Sequence, residues 1–178
     1  MDNGTLLAAI DLGSNSFRLE IGRYEGGQIR RVEYLKETVR QGGGLDEARN
    51  LSPDALQRGW DCLARFGERL AGFKPRQVRA VATQTLREAR NAQEFLDGAH
   101  PLLGFPIDVI AGREEARLIY QGVSRLQPSE VPRLVVDIGG RSTEMILGKG
   151  RVPLTTESFG IGSVSLSMRW FPDGQFTE

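Results

Sequence analysis

The sequence predicts an α/β protein in which a domain built on a mixed β-sheet is followed by the start of a second, similar domain. Two observations carry this prediction. Three strand-like segments come first and then alternate with helical segments, an order typical of antiparallel strands continued by strands with helical crossovers. In addition, one strand–turn–strand unit occurs twice, at an offset of 126 residues. A repeated unit of this kind indicates two similar halves.

The repeated unit brings a carboxylate to the end of a buried strand and follows it with a turn rich in glycine and hydroxyl groups. Its first copy reads D-L-G-S-N-S over residues 11–16, and its second reads D-I-G-G-R-S over residues 137–142. Glycines let the backbone approach an anion, successive N–H groups form a concave donor set, and the carboxylate can hold a cation. A single copy would fit an ordinary hairpin equally well. Because there are two copies, we expect each half to give one phosphate loop to a shared cleft.

The elements follow from local patterns of apolar residues. Apolar alternation predicts strands over residues 6–10, 17–24, 28–35, 78–82 and 106–110. Ser52 and Pro53 have the character of an N-cap and a first helical residue, and they open a helix that Gly72 ends. Residues 112–126 form a further helix, whereas residues 41–44 are interpreted as a solvent-exposed connector.

Residues 127–132 form the one convincing linker, so we expect a first domain over residues 1–126, a ribonuclease H-like mixed sheet with helices on both faces. Residues 133–178 repeat its beginning and are expected to be the incomplete start of a second ribonuclease H-like domain. That second sheet would expose an apolar face. We therefore expect residues 1–178 alone to self-associate, to bind phosphate weakly and to hydrolyse little.

Composition excludes several classes of partner. The 23 basic and 23 acidic residues balance, so the chain has no global attraction for nucleic acid or an anionic membrane. Cys62 is alone, which excludes a disulfide framework and a cysteine metal cluster and fits a reducing compartment. The sequence shows neither a cleavable leader pattern nor an apolar run of membrane length. We expect a cytoplasmic protein with no nucleic-acid or membrane partner.

The helix predicted over residues 112–126 carries two glutamates in its first turn, and they face different ways. Glu115 shares a row with Ile119 at the edge of the inward face, whereas Glu114 lies in a more solvated row. A carboxylate at this position is favoured by the helix dipole but costly to desolvate. For Glu114 we prefer the interpretation that it is a surface charge at the N-terminus of the helix, with no catalytic role. Glu115 is the better candidate for orienting and deprotonating a water over a phosphate cleft.

Five stretches together resemble a known family. They read A-A-I-D-L-G-S-N-S-F-R-L at 8–19, A-T-Q-T-L-R at 82–87, G-R-E-E-A-R-L-I-Y at 112–120, V-D-I-G-G-R-S-T-E at 136–144 and F-G-I-G-S-V at 159–164. In this order they resemble the exopolyphosphatase and guanosine pentaphosphate phosphohydrolase family, within the superfold of actin, sugar kinases and heat-shock-chaperone ATPases. The pattern D-L-G-x-N-S-x-R separates this family from sugar kinases and actins.

The resemblance implies a metal-dependent hydrolase, a homodimer at full length, that uses Mg²⁺ or another divalent cation to remove the terminal phosphate of polyphosphate, of guanosine pentaphosphate or of both. By position, Glu115 is similar to the family's catalytic base, Asp137 to its metal-associated carboxylate and Glu144 to a second acidic group near the metal. Asp11 either holds a cation or structures the first loop. The residues that fall where the family contacts phosphate are Gly13, Ser14, Asn15, Arg87, Gly139, Gly140, Ser142 and Thr143.

Arg141 stands where the family would carry a third glycine. If this position requires a positive φ, a non-glycine residue is strained by roughly 1 kcal/mol or more. Alternatively, the guanidinium binds the polyanion as a bidentate donor, or it occludes the site. We include Arg141 among the phosphate-binding residues.

Two other functions remain open. A kinase or ATPase of the same superfold would need an adenosine pocket, which lies mostly in the second domain, and the D-L-G-S-N-S loop argues against it. A non-catalytic polyphosphate or nucleotide sensor is the other alternative, because Arg141 departs from the family pattern. The choice between polyphosphate and guanosine pentaphosphate does not follow from this stretch.

Overall fold

The computed structural model describes residues 2–175 and divides into two compact units, Met1–Val109 and Ile110–Glu178. The boundary lies ahead of the helix over residues 112–126, so that helix groups with the second unit. The predicted boundary at residues 127–132 placed it in the first domain instead. The reason is packing, because the apolar side of this helix covers the second sheet.

The first unit contains a five-stranded mixed sheet in the order β3-β2-β1-β4-β5. Its elements are β1 Leu6–Leu12, β2 Ser16–Glu25, β3 Gln28–Thr38, α1 Pro53–Arg69, β4 Val78–Ala82, α2 Gln84–Glu88, α3 Ala92–Leu103 and β5 Ile107–Val109. Strands β1, β2 and β3 pair antiparallel, whereas β4 pairs parallel with β1 and β5 parallel with β4. The predicted mixed sheet with helical crossovers is confirmed.

The core of this unit lies on one face of the sheet. Ile10 and Leu19 point inward from neighbouring strands and are almost fully buried, as is Phe66 of α1. Phe95 of α3 packs against Phe17 with the two rings edge to face, their centroids 6.4 Å apart. Buried residues of the sheet and of all three helices form a single cluster.

The opposite face of this sheet carries part-exposed charged pairs. Arg18 Nη1 donates to Asp11 Oδ2 at 2.9 Å, and Arg79 Nη1 lies 2.7 Å from Asp108 Oδ2. The expected fold class, an α/β protein with a mixed sheet flanked by helices, is confirmed.

Residues 41–44 form a 3₁₀ turn packed against the turn between β1 and β2, rather than an exposed connector. The Gln41 side chain is 1% exposed, and the backbone N–H of Gly42 donates to the Ser14 carbonyl at 2.8 Å. The preceding Arg40 takes a left-handed φ of 54°, and its N–H donates to the Asn15 carbonyl at 2.9 Å. The glycine run was misinterpreted because its hydrogen-bond partners lie far away in the sequence.

The lone cysteine yields a prediction about pH. Burial, followed by the nearby Glu37 carboxylate, raises the pKa of the Cys62 thiol from its ordinary value of 9.0 to about 12. Above pH 9 the unfolded chain loses this proton while the folded chain keeps it. The thiol's contribution to the free energy of unfolding should therefore be intact below pH 9 and fall from pH 9 to about 12. Urea unfolding across this range should show that Cys62→Ala loses stability less steeply than the wild type; parallel profiles would contradict the assignment.

The second unit is an antiparallel three-stranded sheet, ordered β6-β7-β8, with one helix packed on it. Its elements are α4 Gly112–Leu126, β6 Pro132–Ile138, β7 Thr143–Lys149, β8 Val152–Phe159 and α5 Ser163–Trp170. Ala116 and Tyr120 of α4 are fully buried against Ile146 of β7. The other face of the sheet exposes an apolar surface, as expected, formed by Leu134, Val136, Ile138, Met145 and Leu147.

The internal repeat extends beyond the two turns. In the first unit, the pairing of β2 with β3 shifts register between Ile21 and Gly22. In the second, the pairing of β7 with β8 shifts between Leu147 and Gly148. A β-bulge therefore occurs at the same place in both copies, which supports the two-half interpretation of the sequence.

Gly148 should tolerate no side chain. An added Cβ would lie 2.2 Å from Cζ of the buried Tyr120, whose hydroxyl donates to the Gly150 carbonyl at 3.2 Å. Gly148→Ala is therefore expected to lower the free energy of unfolding by about 3 kcal/mol through overpacking. Gly122→Ala, in the exposed middle of α4 with no atom within 4 Å, should raise it by about 0.5–1 kcal/mol. Urea denaturation measures both, and equal stability of the two variants would show that Tyr120 can move aside.

Candidate active site

Loop 1, residues 13–15, joins β1 to β2 and is built around a close backbone approach. A Cβ on Gly13 would lie 2.9 Å from the Ser16 carbonyl, so the position needs glycine. Ser14 is buried, and its hydroxyl oxygen accepts a hydrogen bond of 2.8 Å from Thr85 Oγ1. Asn15 is exposed. This hydrogen bond joins loop 1 to the start of α2, and the expected contact of Ser14 with phosphate stays a prediction.

Arg87 lies in α2, directly after β4, and a neighbouring glutamine orients it. Its Nε and Nη2 both donate to Gln84 Oε1, at 3.1 and 2.6 Å. The Gln84 amide in turn donates to Glu88. Sequence reasoning identified Arg87 but missed Gln84, although the spacing of three residues on one helix indicates such a contact.

Loop 2, residues 139–142, joins β6 to β7 and repeats the geometry of loop 1. The N–H of Gly139 donates to the Ser142 carbonyl at 2.9 Å, and a Cβ on Gly139 would lie 3.0 Å from that oxygen. Gly13 stands in the same relation to Ser16. Ser142 is buried, while Gly140 and Arg141 are half-buried.

Arg141 does not carry the backbone strain that one alternative envisaged. Among residues 2–175, the non-glycine residues with a positive φ are Arg40 and Arg49. The arginine therefore fits the turn without a left-handed conformation, and its effect on the site must come from its side chain.

Thr143 takes a structural part in this arrangement. Its hydroxyl donates to the Ile161 carbonyl at 2.6 Å. Since a hydroxyl has one hydrogen, Thr143 cannot donate to a phosphate oxygen in the same conformation. The expected contact of Thr143 with phosphate stays a prediction.

Two carboxylates stand side by side at the end of the second sheet. Asp137 of β6 pairs with Glu144 of β7, and Glu144 pairs with Ser158 of β8. Asp137 is exposed, whereas Glu144 is 1% exposed and accepts a hydrogen bond of 2.7 Å from Ser158 Oγ. Sequence reasoning missed Ser158, because cross-strand register was needed to place it opposite Glu144.

The neighbouring carboxylates of Asp137 and Glu144 are suitable ligands for a divalent cation. Like charges directly opposite on neighbouring strands destabilise a sheet, and a cation bound between Asp137 and Glu144 would offset that repulsion. Within residues 2–175, no group of three or more His, Cys, Asp or Glu residues is arranged to hold a metal. Two carboxylates suit Mg²⁺, which commonly keeps water and substrate phosphate oxygens as its other ligands.

Asp11 differs from Asp137 in having a basic partner. Arg18 lies directly opposite it on β2 and donates to its carboxylate at 2.9 Å. Of the two alternatives for Asp11, this ion pair favours structuring the first loop over holding a cation.

The two glutamates of the first turn of α4 have different surroundings. Glu114 accepts two hydrogen bonds of 2.7 Å from Arg117 Nε and Nη2, and this contact raises the pKa of Arg117. Glu115 is half-buried beside the fully buried Ala116. Arg113 ties the same turn to β8 through a 2.9 Å contact with Glu157. Glu114 thus forms an ion pair with Arg117, both glutamates are half-buried, and the inward facing of Glu115 stays a prediction.

Comparisons with known proteins agree with these features. Residues 21–178 match the Ppx/GppA phosphatase family. A guanosine-5'-triphosphate,3'-diphosphate pyrophosphatase of Vibrio cholerae is 49% identical over 172 residues, which cover 97% of this chain and 35% of the relative. The chain thus spans about a third of the length of the curated relatives that it matches.

Solved structures give the same result. An exopolyphosphatase from Cytophaga hutchinsonii superposes with a TM-score of 0.86 at 30% identity, covering 93% of this chain and 54% of that one. The PPX-GPPA enzyme of Aquifex aeolicus superposes with a TM-score of 0.81 at 32% identity, covering 93% and 56%. None of the helices in the described part of the chain has the length and hydropathy to cross a membrane. With its repeated loops and the five sequence stretches, the chain belongs to the Ppx/GppA phosphatase family.

Proposed function

We propose that the protein removes the terminal phosphate of polyphosphate, of guanosine pentaphosphate or of both, by attack of a water molecule that Glu115 activates. The observation that carries the proposal is the geometric repeat of the phosphate loops. In each loop the first glycine closes on the carbonyl of a serine three residues later, and in each an aspartate ends the preceding strand. Relatives whose names describe guanosine pentaphosphate and polyphosphate hydrolysis support the same reaction.

Phosphoryl transfer needs positioning and charge neutralisation more than covalent chemistry. In the second unit, backbone N–H groups of loop 2 and the side chain of Arg141 bind phosphoryl oxygens, and in the first unit loop 1 and Arg87 offer a similar set of donors. Asp137 and Glu144 would hold a divalent cation, which when bound would neutralise charge on the transferring and leaving oxygens. Glu115 orients a water and takes its proton as the water oxygen bonds to the terminal phosphorus. The bridging P–O bond breaks, and its electron pair leaves with the shortened chain.

Phosphate release by the full-length protein with Mg²⁺ tests the proposal. Polyphosphate, guanosine pentaphosphate and ATP should be compared at equal concentration, with and without a chelator. Chelator-sensitive release from either of the first two, with little from ATP, is the expected result. Preferential ATP turnover would favour a kinase or ATPase, and tight polyphosphate binding without release would favour a sensor.

The compartment and the partners belong to the same proposal. Cys62, the cysteine among the described residues, is buried and carries a free thiol, which suits a reducing cytoplasm. The expected partner is the phosphoanhydride substrate itself.

A further inference from the structure

The stretch F-G-I-G-S-V, residues 159–164, has no assigned role in the reaction, yet its second half binds loop 2 through several hydrogen bonds. The N–H of Ser163 donates to the Gly139 carbonyl at 2.9 Å, and the Ser163 hydroxyl donates to the same oxygen at 3.2 Å. The N–H groups of Val164 and Ser165 donate to the Gly140 carbonyl at 2.8 and 3.1 Å. The first N–H groups of α5 are thus directed at two successive carbonyls of loop 2.

This contact fixes which way the loop amides point. Within residues 2–175 every peptide bond is trans, and in a planar trans peptide the C=O of one residue and the N–H of the next point in opposite directions. Because the carbonyls of Gly139 and Gly140 point at α5, the N–H groups of Gly140 and Arg141 point away from it. Two successive N–H groups on one side of a turn form a donor set for an anion.

Gly162 makes the close contact possible. A Cβ there would lie 2.5 Å from the backbone nitrogen of Arg141 and 2.6 Å from the Gly140 oxygen, and neither backbone atom is a flexible side-chain end. The Ser165 hydroxyl accepts from the Gly162 N–H at 3.0 Å and steadies the same turn. Gly160, two residues earlier, has no atom within 4 Å of its hypothetical Cβ.

The first unit uses the same arrangement with different residues. Ser14 occupies in loop 1 the position that Gly140 occupies in loop 2, and its carbonyl accepts from the Gly42 N–H at 2.8 Å. By the same planarity, the Asn15 N–H points away from the 3₁₀ turn. In both copies, a later segment of the same unit therefore holds the carbonyl of the second loop residue. Sequence identity did not reveal this, since the two holding segments differ.

We propose that residues 162–165, the loop-2 clamp, orient the Gly140 and Arg141 amides toward a phosphoanhydride anion, with Gly162 as the positioning residue. The inference rests on the proposed function only in taking loop 2 as a phosphate-binding loop. Gly162 touches no substrate; it acts through the backbone of loop 2. The clamp sets affinity for phosphoryl oxygens and leaves the attacking water to Glu115.

Gly162→Ala and its matched control Gly160→Ala test the clamp. Inorganic tripolyphosphate is titrated into ¹⁵N-labelled protein while the Gly140 and Arg141 amide resonances are followed, and affinity is measured by calorimetry. In the wild type and in Gly160→Ala, both resonances should shift on binding. In Gly162→Ala, those shifts should be lost and affinity should fall about tenfold or more, while resonances of α4 and β6–β8 stay in place.

Ser163→Ala is the second variant, because it removes one hydrogen bond to Gly139 and leaves every backbone bond intact. It should fold normally and weaken tripolyphosphate binding about threefold, so that the test stands even if Gly162→Ala does not fold. Unchanged affinity in Ser163→Ala, or in folded Gly162→Ala, would overturn the proposal. So would a wild type whose Gly140 and Arg141 amides do not respond to the anion. Failure of the wild type to release phosphate would instead count against the proposed function alone.

Discussion

Replacing Glu115 with glutamine is expected to slow phosphate release about 10²–10⁴-fold, the usual effect of removing a general base. Glutamine keeps the size of the side chain and its hydrogen-bonding capacity but cannot accept the proton of the attacking water. The lost interaction exists only in the transition state, so kcat should fall while binding of polyphosphate changes little. Single-turnover phosphate release, together with calorimetric binding of polyphosphate to the full-length protein, separates the two quantities.

Glu114→Gln is the matched control, since Glu114 is adjacent in sequence but hydrogen-bonded to Arg117. Because both partners of this pair are well exposed, its loss should cost at most about 1 kcal/mol of stability and should change kcat little. If Glu114→Gln abolished turnover and Glu115→Gln did not, the argument from the facing of α4 would be wrong.

Sequence patterns correctly predicted those strands, helices and caps that depend on residues close together in the sequence. The strand Val78–Ala82 and the helix Gly112–Leu126 have the bounds that apolar spacing predicts. The N-cap of α1 is also confirmed, with Ser52 Oγ accepting from the Ala55 N–H at 3.3 Å. These features depend on residues within one or two turns of one another, where periodicity and capping chemistry are informative.

The partner of an amphipathic helix is not a local property, and there the prediction was wrong. The spacing of Ala116 and Tyr120 shows that α4 has an apolar side but not which sheet it covers. The structure packs that side on Ile146 of β7, which follows the presumed linker. A loop rich in proline looked like a domain boundary, but the apolar contacts cross it.

In the candidate site, too, local features were predicted and contacts between distant elements were not. The glycines of both loops were predicted because a tight turn depends on residues that are consecutive in the sequence. Ser158 and Gly162 were not, since Ser158 lies 14 residues from Glu144 and Gly162 lies 21 residues from Arg141, and both contacts depend on how separate elements pair or pack. Contacts that join distant elements in this way leave no pattern in consecutive residues.

Arg141→Gly is expected to weaken polyphosphate binding about tenfold and to reduce the slope of log affinity against log salt by about 1, as loss of one phosphate contact would. The arginine takes no left-handed φ, so glycine gains no conformational advantage there apart from added flexibility. The loop-2 clamp holds the backbone of Arg141 beside Gly140, so the half-buried side chain of Arg141 projects from a fixed backbone position. Binding should be measured by calorimetry at several salt concentrations.

Two further variants separate charge from geometry. Arg151→Gly removes one exposed charge at the other end of β7, about 20 Å from loop 2 by strand length, and should leave the salt slope nearly unchanged. Arg141→Lys keeps the charge but loses the planar fork, so it should restore the slope while affinity stays below that of the wild type. If Arg141→Gly instead binds more tightly or turns over faster, the guanidinium obstructs the site. The departure from a third glycine would then restrain the enzyme through the bulk of the side chain, which would occupy space at the loop that binds phosphate.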